Sequence, residues 1–531
     1  MKLNKIKYYK ASGIMLVIVI VFLFSLVGCK KFDEINTPKD RLSADQIDIS
    51  LLGQAFALAQ YWGLFGDQGN TGEFQIIHNL YNDFYAQYFA TTHPNFPSDQ
   101  FQDVADWTGT YGWDAIYTKG APQVYFVEQF TASHSMPLAN AIAKVWKVVF
   151  YDRITDIWGP IIYSQFGNAQ RSVQYDSQKD IYHNFFKTLD TAVAVLKEHA
   201  GENAFGSNDQ IYSGDANKWL TFANSLRLRL AMRIAYVEPD LAKQEAEKAV
   251  AAGVMTINED NANVFCDPLN SPNFYALITY IDEFRMSATP ESVMRGFEDP
   301  RISEYFAEAE VGGGYHGIRN GLTVAEKGDR LNLQATHSFI ATKYLPIERG
   351  GTSPPWGVMS AAEVYFLRAE GALRGWNMGG ETAQDLYNEG IRKSLAERTN
   401  ISAVQIEAYV NSLKTPVALN DQWNTPAMSD IPVAFLTAGS FEKKLEQIIT
   451  QKWIAIFPNS EEAWAERRRT GYPVGFPIIE SLNPDVPENA LMRRLKFAVG
   501  EFTTNGPAVQ AAINLLGGPD KNSTKLWWDA K

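Results

Sequence analysis

The residues best suited to recognition chemistry lie in one short stretch, residues 91–113 (TTHPNFPSDQFQDVADWTGTYGW). This stretch contains Phe96, Trp107 and Tyr111, with Asn95 beside them. A sugar ring has apolar C–H groups on its faces and hydroxyls at its edge, so a glycan site needs flat exposed aromatic rings and hydrogen-bonding side chains. The stretch therefore indicates a carbohydrate-binding surface. The same rings could equally be packing residues, since aromatic side chains bury readily.

Covalent catalysis has little support in the sequence. The chain contains no H-E-x-x-H, G-x-S-x-G, C-x-x-C or Walker phosphate loop, and its histidines are scattered without ligand spacing. Gly312, Gly314 and Gly317 spell G-x-G-x-x-G, but a dinucleotide site needs that turn between a buried strand and a helix. We therefore predict a protein that is not an enzyme and has neither a cofactor nor a metal site. A surface glycan hydrolase stays open as an alternative, because a catalytic carboxylate pair cannot be recognised in so acidic a chain.

The N-terminus predicts export and lipid attachment. Lysines at positions 2, 5, 7 and 10 precede an unbroken apolar run at residues 14–24, which is followed by Leu-Val-Gly-Cys ending at Cys29. This order is typical of a secretory signal peptide, and the run is shorter than the about 20 residues that span a bilayer. The last four residues resemble the lipobox of bacterial lipoproteins, which predicts removal of residues 1–28 and lipidation of Cys29, with acyl chains such as palmitate. An uncleaved anchor helix is the alternative.

The remaining chain has the composition of a large folded body on a tether. Residues 29–45 are polar and read as a lipidated tether, and residues 46–531 as the binding domain. The formal net charge of −12 disfavours nucleic acid and acidic lipid headgroups as partners. The chain has only two cysteines, so lipidation of Cys29 would leave Cys266 without a disulfide partner.

Apolar residues at spacings of three and four predict helices over most of this body. Capping spacings, Ser177 with Asp180 and Ser360 with Glu363, mark two of the helix starts. The predicted helices cover residues 138–152, 177–199, 216–236, 240–252, 360–374 and 382–398. Between them, residues 60–120 and 260–358 are rich in Gly, Pro, Asn and aromatic residues and read as irregular segments, where function usually resides.

One helix pair has the character of a tetratricopeptide repeat. Gly371, Ala383 and Gly390 are small and Tyr387 is aromatic, at the offsets where such a repeat brings two helices together. We therefore predict a mostly α fold: a tetratricopeptide-like helical-repeat scaffold with long irregular loop insertions.

Two groups of arginines could suggest an anionic ligand: Arg227, Arg229 and Arg233 on one predicted helix, and Arg467 to Arg469 on another. We favour the interpretation that these side chains pair with acidic residues of neighbouring helices while their stems cover apolar surface.

Several long segments together resemble one family, the SusD/RagB family. They are CKKFDEIN from Cys29, YDSQKDIYHNFFKTLD from Tyr175, GDANKWLTFANSLRLRLAMRIA from Gly214, DPRISEYF from Asp299, AAEVYFLRAEGALRGW from Ala361, QKWIAIFPNSEEAWAERRRTGYP from Gln451, and the terminal KLWWDAK. The resemblance spans essentially the whole chain after the signal peptide.

The resemblance implies an outer-membrane lipoprotein, anchored by lipid and facing the cell exterior, that captures nutrients for a SusC-like TonB-dependent transporter and acts as its lid. It also implies a ligand site built from the N-terminal aromatic region and from loops beyond the middle of the chain. There the matching region offers Tyr315, Arg319 and Trp356. Trp107 and Trp356 stand among turn-forming residues and are the favoured sugar-stacking rings. A glycan is the expected ligand, and a peptide is the alternative, since the family also serves peptide importers.

Overall fold

The body of the protein consists mostly of α-helices, as the sequence predicts. The computed structural model describes residues 49–66 and 72–531, and residues 53–531 form one compact unit. In this part of the chain the longer helices are α1 (Ile49–Trp62), α2 (Ala121–Ser133), α3 (Pro137–Trp158), α4 (Gln178–Glu198), α5 (Ala216–Arg233), α6 (Pro239–Ala252), α7 (Ala361–Leu373), α8 (Ala383–Arg398), α9 (Ala403–Val410), α10 (Phe441–Ala455), α11 (Ser460–Thr470) and α12 (Gly506–Leu515).

Short elements fill the segments between the long helices. The strands are β1 (Phe89–Thr91), β2 (Ala262–Val264), β3 (Phe284–Met286) and β4 (Trp356–Met359). The short α-helices are Ala105–Trp107, Phe274–Ile278, Ala288–Pro290, Ile302–Tyr305, Val324–Lys327 and Val499–Thr504. The π-helical segments are Phe74–Asp83, Thr108–Asp114, Ile116–Gly120 and Glu291–Arg295, and the 3₁₀ turns are Pro97–Gln100, Gly206–Asn208, Asn258–Asp260, Arg330–Asn332, Gln334–Thr336, Thr342–Tyr344 and Ile347–Arg349.

The predicted signal peptide, Cys29 and the tether lie outside the described residues. Among the residues that are described, no helix is both long and apolar enough to cross a membrane.

The six predicted helices correspond to α3 to α8, with boundaries shifted by a few residues. Side-chain caps fix their starts. The Ser177 hydroxyl accepts a hydrogen bond from the backbone N–H of Asp180, and the Ser360 hydroxyl accepts one from Glu363. Such caps satisfy backbone donors that have no partner within the helix. The boundary that moved most, the end of α3, lies at Gly159, whose φ of +89° ends the helix.

Helices α7 and α8 form the predicted close pair. A Cβ atom added at Gly390 would lie 2.8 Å from the ring of Phe366, so only glycine lets the two helices approach this closely. The Tyr387 ring is fully buried beside Phe366, with ring centroids 6.1 Å apart, and its hydroxyl donates to the carbonyl of Val433. The helical-repeat prediction is confirmed in this pair.

Two small antiparallel sheets tie the irregular segments together. Strand β1 pairs with β3, and β2 pairs with β4. These pairs join chain segments that are far apart in sequence, which the local sequence pattern could not predict. The buried ten-residue π-helical segment Phe74–Asp83, within the stretch interpreted as irregular, was also not predicted.

The centre of the helical scaffold holds a network of buried ion pairs, as expected for most of the arginines. Arg227 pairs with Glu245 and Asp190, Arg229 with Glu363, Arg233 with Asp156, Glu462 and Glu466, and Arg469 with Glu370 and Glu466. Lys452 joins the same network through Glu462, with Nζ and Oε1 2.6 Å apart.

The pairing prediction is wrong for Arg467 and Arg468. Arg468 Nη1 donates to the backbone carbonyls of Asp156 and Arg493, and its guanidinium lies 3.7 Å from the Trp464 ring centroid. Arg467 donates to the carbonyl of Tyr85. Neither guanidinium lies within 4.0 Å of a carboxylate of the described residues. Consecutive helix residues point about 100° apart, so three neighbouring arginines face three different environments.

We expect Asp152→Asn to stabilise the protein at pH 8. The Asp152 carboxyl is buried on α3, where desolvation and the nearby Asp156 charge raise its pKa to about 8. Between about pH 4 and pH 8 the unfolded chain releases this proton while the folded protein retains it, so the free energy of unfolding falls as pH rises. At pH 8 the free energy of unfolding of the variant should exceed that of the wild type by at least about 1.4 kcal/mol, the equivalent of one pKa unit. The difference should shrink towards pH 4 in urea titrations.

The matched control is Asp106→Asn, at an exposed aspartate. It should leave the pH profile of stability unchanged. A wild type that is more stable than Asp152→Asn at pH 8, or a difference that does not vary with pH, would contradict this prediction.

Candidate functional site

A candidate site is a cavity of 440 Å³ between residues 311–337 and the loop at 419–423. One side of it carries the half-buried ring of Trp423. The lining also includes the polar side chains of His316, Asn332, Thr336, His337, Asn420 and Gln422. The volume is within the range of about 300–1,000 Å³ typical of small-molecule sites.

Strand β3 positions the floor of the cavity. The backbone N–H of Ile318 donates to the carbonyl of Met286, and the N–H of Met286 donates to the carbonyl of Ser338. The two stretches that line the cavity, 316–319 and 331–337, are therefore fastened to the same strand. Asn320 completes the attachment, because its amide donates to the carbonyl of Phe89 on β1 and its Oδ1 accepts from Ser287.

Arg319 braces the wall that carries Trp423. Its Nη1 donates to Asp421 Oδ2 at 3.2 Å, and its Nη2 donates to the carbonyl of Pro477 at 2.7 Å. The guanidinium carbon lies 5.5 Å from the Trp423 ring centroid. Burial lowers the pKa of Arg319, and Asp421 opposes that shift. The side chain is 7% exposed and braces the wall through Nη1 and Nη2, while its Nε is buried without a hydrogen-bond partner among the described residues.

Asp421 shapes the loop that presents the tryptophan. Its Oδ1 accepts from the backbone N–H groups of Trp423 and Thr425, at 3.1 Å and 3.0 Å. A side chain that accepts from backbone two residues on produces a tight turn. The turn seats one edge of the Trp423 ring against a small apolar cluster of Ala90, Ile318 and Leu322. The ring is thus fixed in place while part of it faces the cavity.

Both acidic side chains in the cavity wall already have ion-pair partners. Glu291 pairs with Arg295 and accepts from the N–H of Gly317 at 2.7 Å, and Asp421 is held by Arg319. Burial lowers the pKa of His337, which keeps its imidazole neutral at pH 7. The cavity therefore offers an aromatic face and neutral hydrogen-bonding groups. Among the described residues, no cluster of His, Cys, Asp and Glu is arranged to hold a metal ion.

The N-terminal aromatic residues form a separate patch. The Phe96 ring lies 5.7 Å from the Trp107 ring and 4.3 Å from the imidazole of His93, measured between centroids. Trp107 and Phe96 are half-buried, Asn95 is exposed, and Tyr111 is 39% exposed. We call His93, Phe96 and Trp107 the N-terminal aromatic patch.

The buried Lys327 links this patch to the cavity region. Its Nζ lies 3.4 Å from Asp99 Oδ1 and donates to the carbonyls of His93 and Phe96 at 3.3 Å and 3.4 Å. The chain then continues from Lys327 directly into Leu331 and Asn332, which line the cavity. The segment 327–332 therefore contacts the patch through Lys327 and lines the cavity with Leu331 and Asn332.

Two of the residues expected in the second region lie elsewhere. The prediction that Trp356 presents its ring on a loop is wrong, because the residue begins β4 and is 1% exposed. Its ring packs against Phe74, His78 and Tyr275, with centroids 5.2, 4.9 and 5.6 Å away. Tyr315 is half-buried and precedes the cavity residue His316, but it is not part of the cavity lining.

Of the seven ligand residues expected from sequence, the structure thus places Arg319 in the cavity wall and brings Phe96 and Trp107 together at the patch. Sequence reasoning missed Trp423. The sequence does carry a signal for it, because Trp423 stands among turn-forming residues in NDQWNTP (420–426), as Trp107 does in its own segment.

Comparisons with known proteins agree on one family. Residues 34–529 match the family model described as SusD-like, the SusD and RagB outer-membrane lipoproteins. The comparison with curated proteins found no similar sequence.

Solved structures agree with the family model. A chitin-binding SusD homolog from Flavobacterium johnsoniae is 37% identical, with a TM-score of 0.82 over 90% of this chain and 99% of that chain. A SusD homolog from Bacteroides thetaiotaomicron is 34% identical, with a TM-score of 0.80 over 90% of this chain and 99% of that chain. A further chitin-binding protein is 28% identical, with a TM-score of 0.74 over 90% of this chain and all of that chain.

Proposed function

This chain belongs to the SusD/RagB family of outer-membrane lipoproteins, and from that premise we propose that it captures a glycan in the cavity beside Trp423. It then delivers the glycan to a SusC-like TonB-dependent transporter, over which it acts as a lid. Lipidation at Cys29 holds it on the outer membrane, facing the cell exterior. No chemistry on the ligand is required.

The observation that carries the proposal is the pairing of one fixed aromatic ring with a rim of neutral polar groups. Stacking of Trp423 on the C–H face of a sugar leaves the ring hydroxyls directed at the rim. Asn332 and Gln422 can donate to such hydroxyls and accept from them, and Thr336, whose hydroxyl donates to the carbonyl of Leu333, can accept. Because Glu291 and Asp421 are already engaged, the site suits an uncharged sugar better than a charged peptide end.

Similarity to chitin-binding proteins suggests the first ligand to examine. Two similar structures are chitin-binding, one of them 37% identical to this chain. Oligomers of β-1,4-linked N-acetylglucosamine are therefore the leading class. Their acetamido groups add an N–H donor and a carbonyl acceptor to each ring, which the amides of Asn332 and Gln422 can satisfy.

The N-terminal aromatic patch is proposed to contact the same oligomer at a more distant sugar. Trp107 and Phe96 offer the ring surface, and the exposed Asn95 and Tyr111 offer polar groups. This arrangement would favour long oligomers over single sugars, since each additional stacked ring adds contact area at no further cost in translational entropy.

Trp423→Ala is expected to weaken binding of chitin oligomers at least tenfold, since loss of a stacked ring removes more than about 1.4 kcal/mol. The measurement is isothermal titration calorimetry of the full chain in detergent, with oligomers of increasing length, other neutral glycans and peptides.

Trp107→Ala should weaken binding of long oligomers more than that of short ones.

The matched control is Trp376→Ala, which removes a half-buried tryptophan that does not line the cavity. It should retain wild-type affinity, and melting temperatures should show that each variant is folded. Binding that survives Trp423→Ala, binding of peptides alone, or release of shortened products by the pure protein would each rule out the proposal.

A further inference from the structure

A second cavity, of 210 Å³, lies on the far side of the segment that braces Arg319. Its walls are mostly apolar and include Phe84, Phe101, Met428, Phe476, Leu491 and Met492. The buried guanidinium of Arg467 contributes to its lining, so we call it the Arg467 cavity. A cation in an apolar pocket needs a compensating partner.

The part of the chain that the structure describes supplies no such partner for Arg467. The side chain is 4% exposed, and within that part its only hydrogen bond runs from Nη1 to the carbonyl of Tyr85 at 2.5 Å. Its Nε is buried without a hydrogen-bond partner among the described residues, and no carboxylate of those residues lies within ion-pair distance. Burial lowers the pKa of the guanidinium to about 10, so Arg467 still carries its charge at neutral pH.

Arg469, two residues along the same helix, differs from Arg467 in having carboxylate partners. Arg469 is fully buried and holds two carboxylates, Glu370 and Glu466, each at 2.6 Å. Helix α11 therefore satisfies one buried arginine with acids and leaves the other facing a cavity. An uncompensated buried charge costs several kcal/mol, which a bound anion would recover in part.

The cavity side of Arg467 offers a charged donor to a carboxylate. Since Nη1 is used by Tyr85 and Nε is buried, Nη2 is the nitrogen left for a charge-assisted hydrogen bond to a ligand in the cavity. Gly475 packs beside this nitrogen, and a larger residue there would collide with Arg467 Nη2 and with Gln87 Oε1. Tyr85 also lines the cavity, and its hydroxyl is buried without a hydrogen-bond partner among the described residues.

We propose that the Arg467 cavity binds a small monocarboxylate with an apolar body, separate from the glycan site. The carboxylate accepts from Nη2 of Arg467, and the apolar part lies among Phe84, Phe101 and Met492. Inorganic anions fit less well, since they would leave these apolar walls uncovered. Glu488 stands exposed at the mouth of the cavity, and its charge opposes the entry of an anion.

Phenylacetate and its uncharged counterpart phenylacetamide test this proposal as a matched pair. The full chain in detergent, titrated at pH 7 by calorimetry, should bind one phenylacetate and bind phenylacetamide at least tenfold more weakly. Arg467→Met should reduce phenylacetate affinity at least tenfold. Arg171→Met, at an exposed arginine, is the control and should leave it unchanged.

Glu488→Gln should strengthen phenylacetate binding several-fold, because it removes the opposing charge at the mouth. Since Glu488 is exposed, this variant is expected to fold, and it tests the proposal even where Arg467→Met does not fold. The proposal is overturned by three results: no phenylacetate binding by the folded wild type at millimolar concentration, equal binding of the amide, or unchanged affinity in folded Arg467→Met.

Discussion

Glu462→Gln is expected to lower the free energy of unfolding by about 3–5 kcal/mol, which is the usual cost of breaking a buried ion pair from one side. Its carboxylate lies at the centre of the ionic network. One oxygen lies 2.5 Å from Arg233 Nη2 and 3.7 Å from Arg229 Nε, and the other accepts from Lys452 Nζ at 2.6 Å. The amide keeps the shape of the side chain but removes the charge, so three buried cations lose a shared counterion.

Chemical denaturation at pH 7 measures this loss directly. The control is Glu407→Gln, which breaks the exposed ion pair with Arg392 and should change stability by less than about 1 kcal/mol, as exposed pairs usually do. If the two substitutions changed the free energy of unfolding equally, other groups would have to neutralise the three buried cations in the absence of Glu462. A Glu462→Gln variant more stable than the wild type would mean that the desolvation cost of burying the carboxylate exceeds the stabilisation from its three cationic partners.

Trp356→Ala is expected to cost about 3–5 kcal/mol of stability, the range for truncating a large buried aromatic side chain. The ring fills the space between Phe74, His78 and Tyr275 and does not line the cavity beside Trp423. The loss should appear as a lower denaturation midpoint, while glycan affinity of the folded fraction stays at the wild-type value. Trp423→Ala should instead weaken glycan binding and leave the denaturation midpoint near the wild-type value.

The control for the packing argument is Trp356→Phe, which leaves a smaller void and should therefore cost less than the alanine variant. A stable Trp356→Ala protein with weakened glycan binding would restore Trp356 to the site. This comparison matters because a destabilised variant, assayed by binding alone, imitates the loss of a ligand contact.

The helical scaffold could be predicted because its determinants are local. Ser177 and Ser360 cap helices through residues three positions further on, and Gly390 admits Phe366 within one helix pair. The site could be predicted only in part. The burial of Trp356 follows from the pairing of β4 with β2, about ninety residues earlier, and no nearby residue signals that pairing.

The arginines illustrate the same limit on a smaller scale. Arg467 and Arg469 stand in one run of three, and their sequence context does not distinguish them. Helix geometry turns Arg469 towards Glu370 and Arg467 towards the carbonyl of Tyr85. Which of them is paired depends on the helices and loops that surround α11, so only the three-dimensional structure separates a structural cation from a candidate binding residue.

The long-range connections around the two cavities also have a consequence for the order of folding. Asn320 is fastened to Phe89, 231 residues earlier, and Gln87 to the carbonyl of Phe476, 389 residues later. Contacts between such distant segments form slowly, because a long loop must close before they gain any stability. During synthesis the first helices can form long before the cavity, whose walls await the arrival of Trp423 and Pro477. Recognition of the ligand is thus among the last properties that the chain acquires.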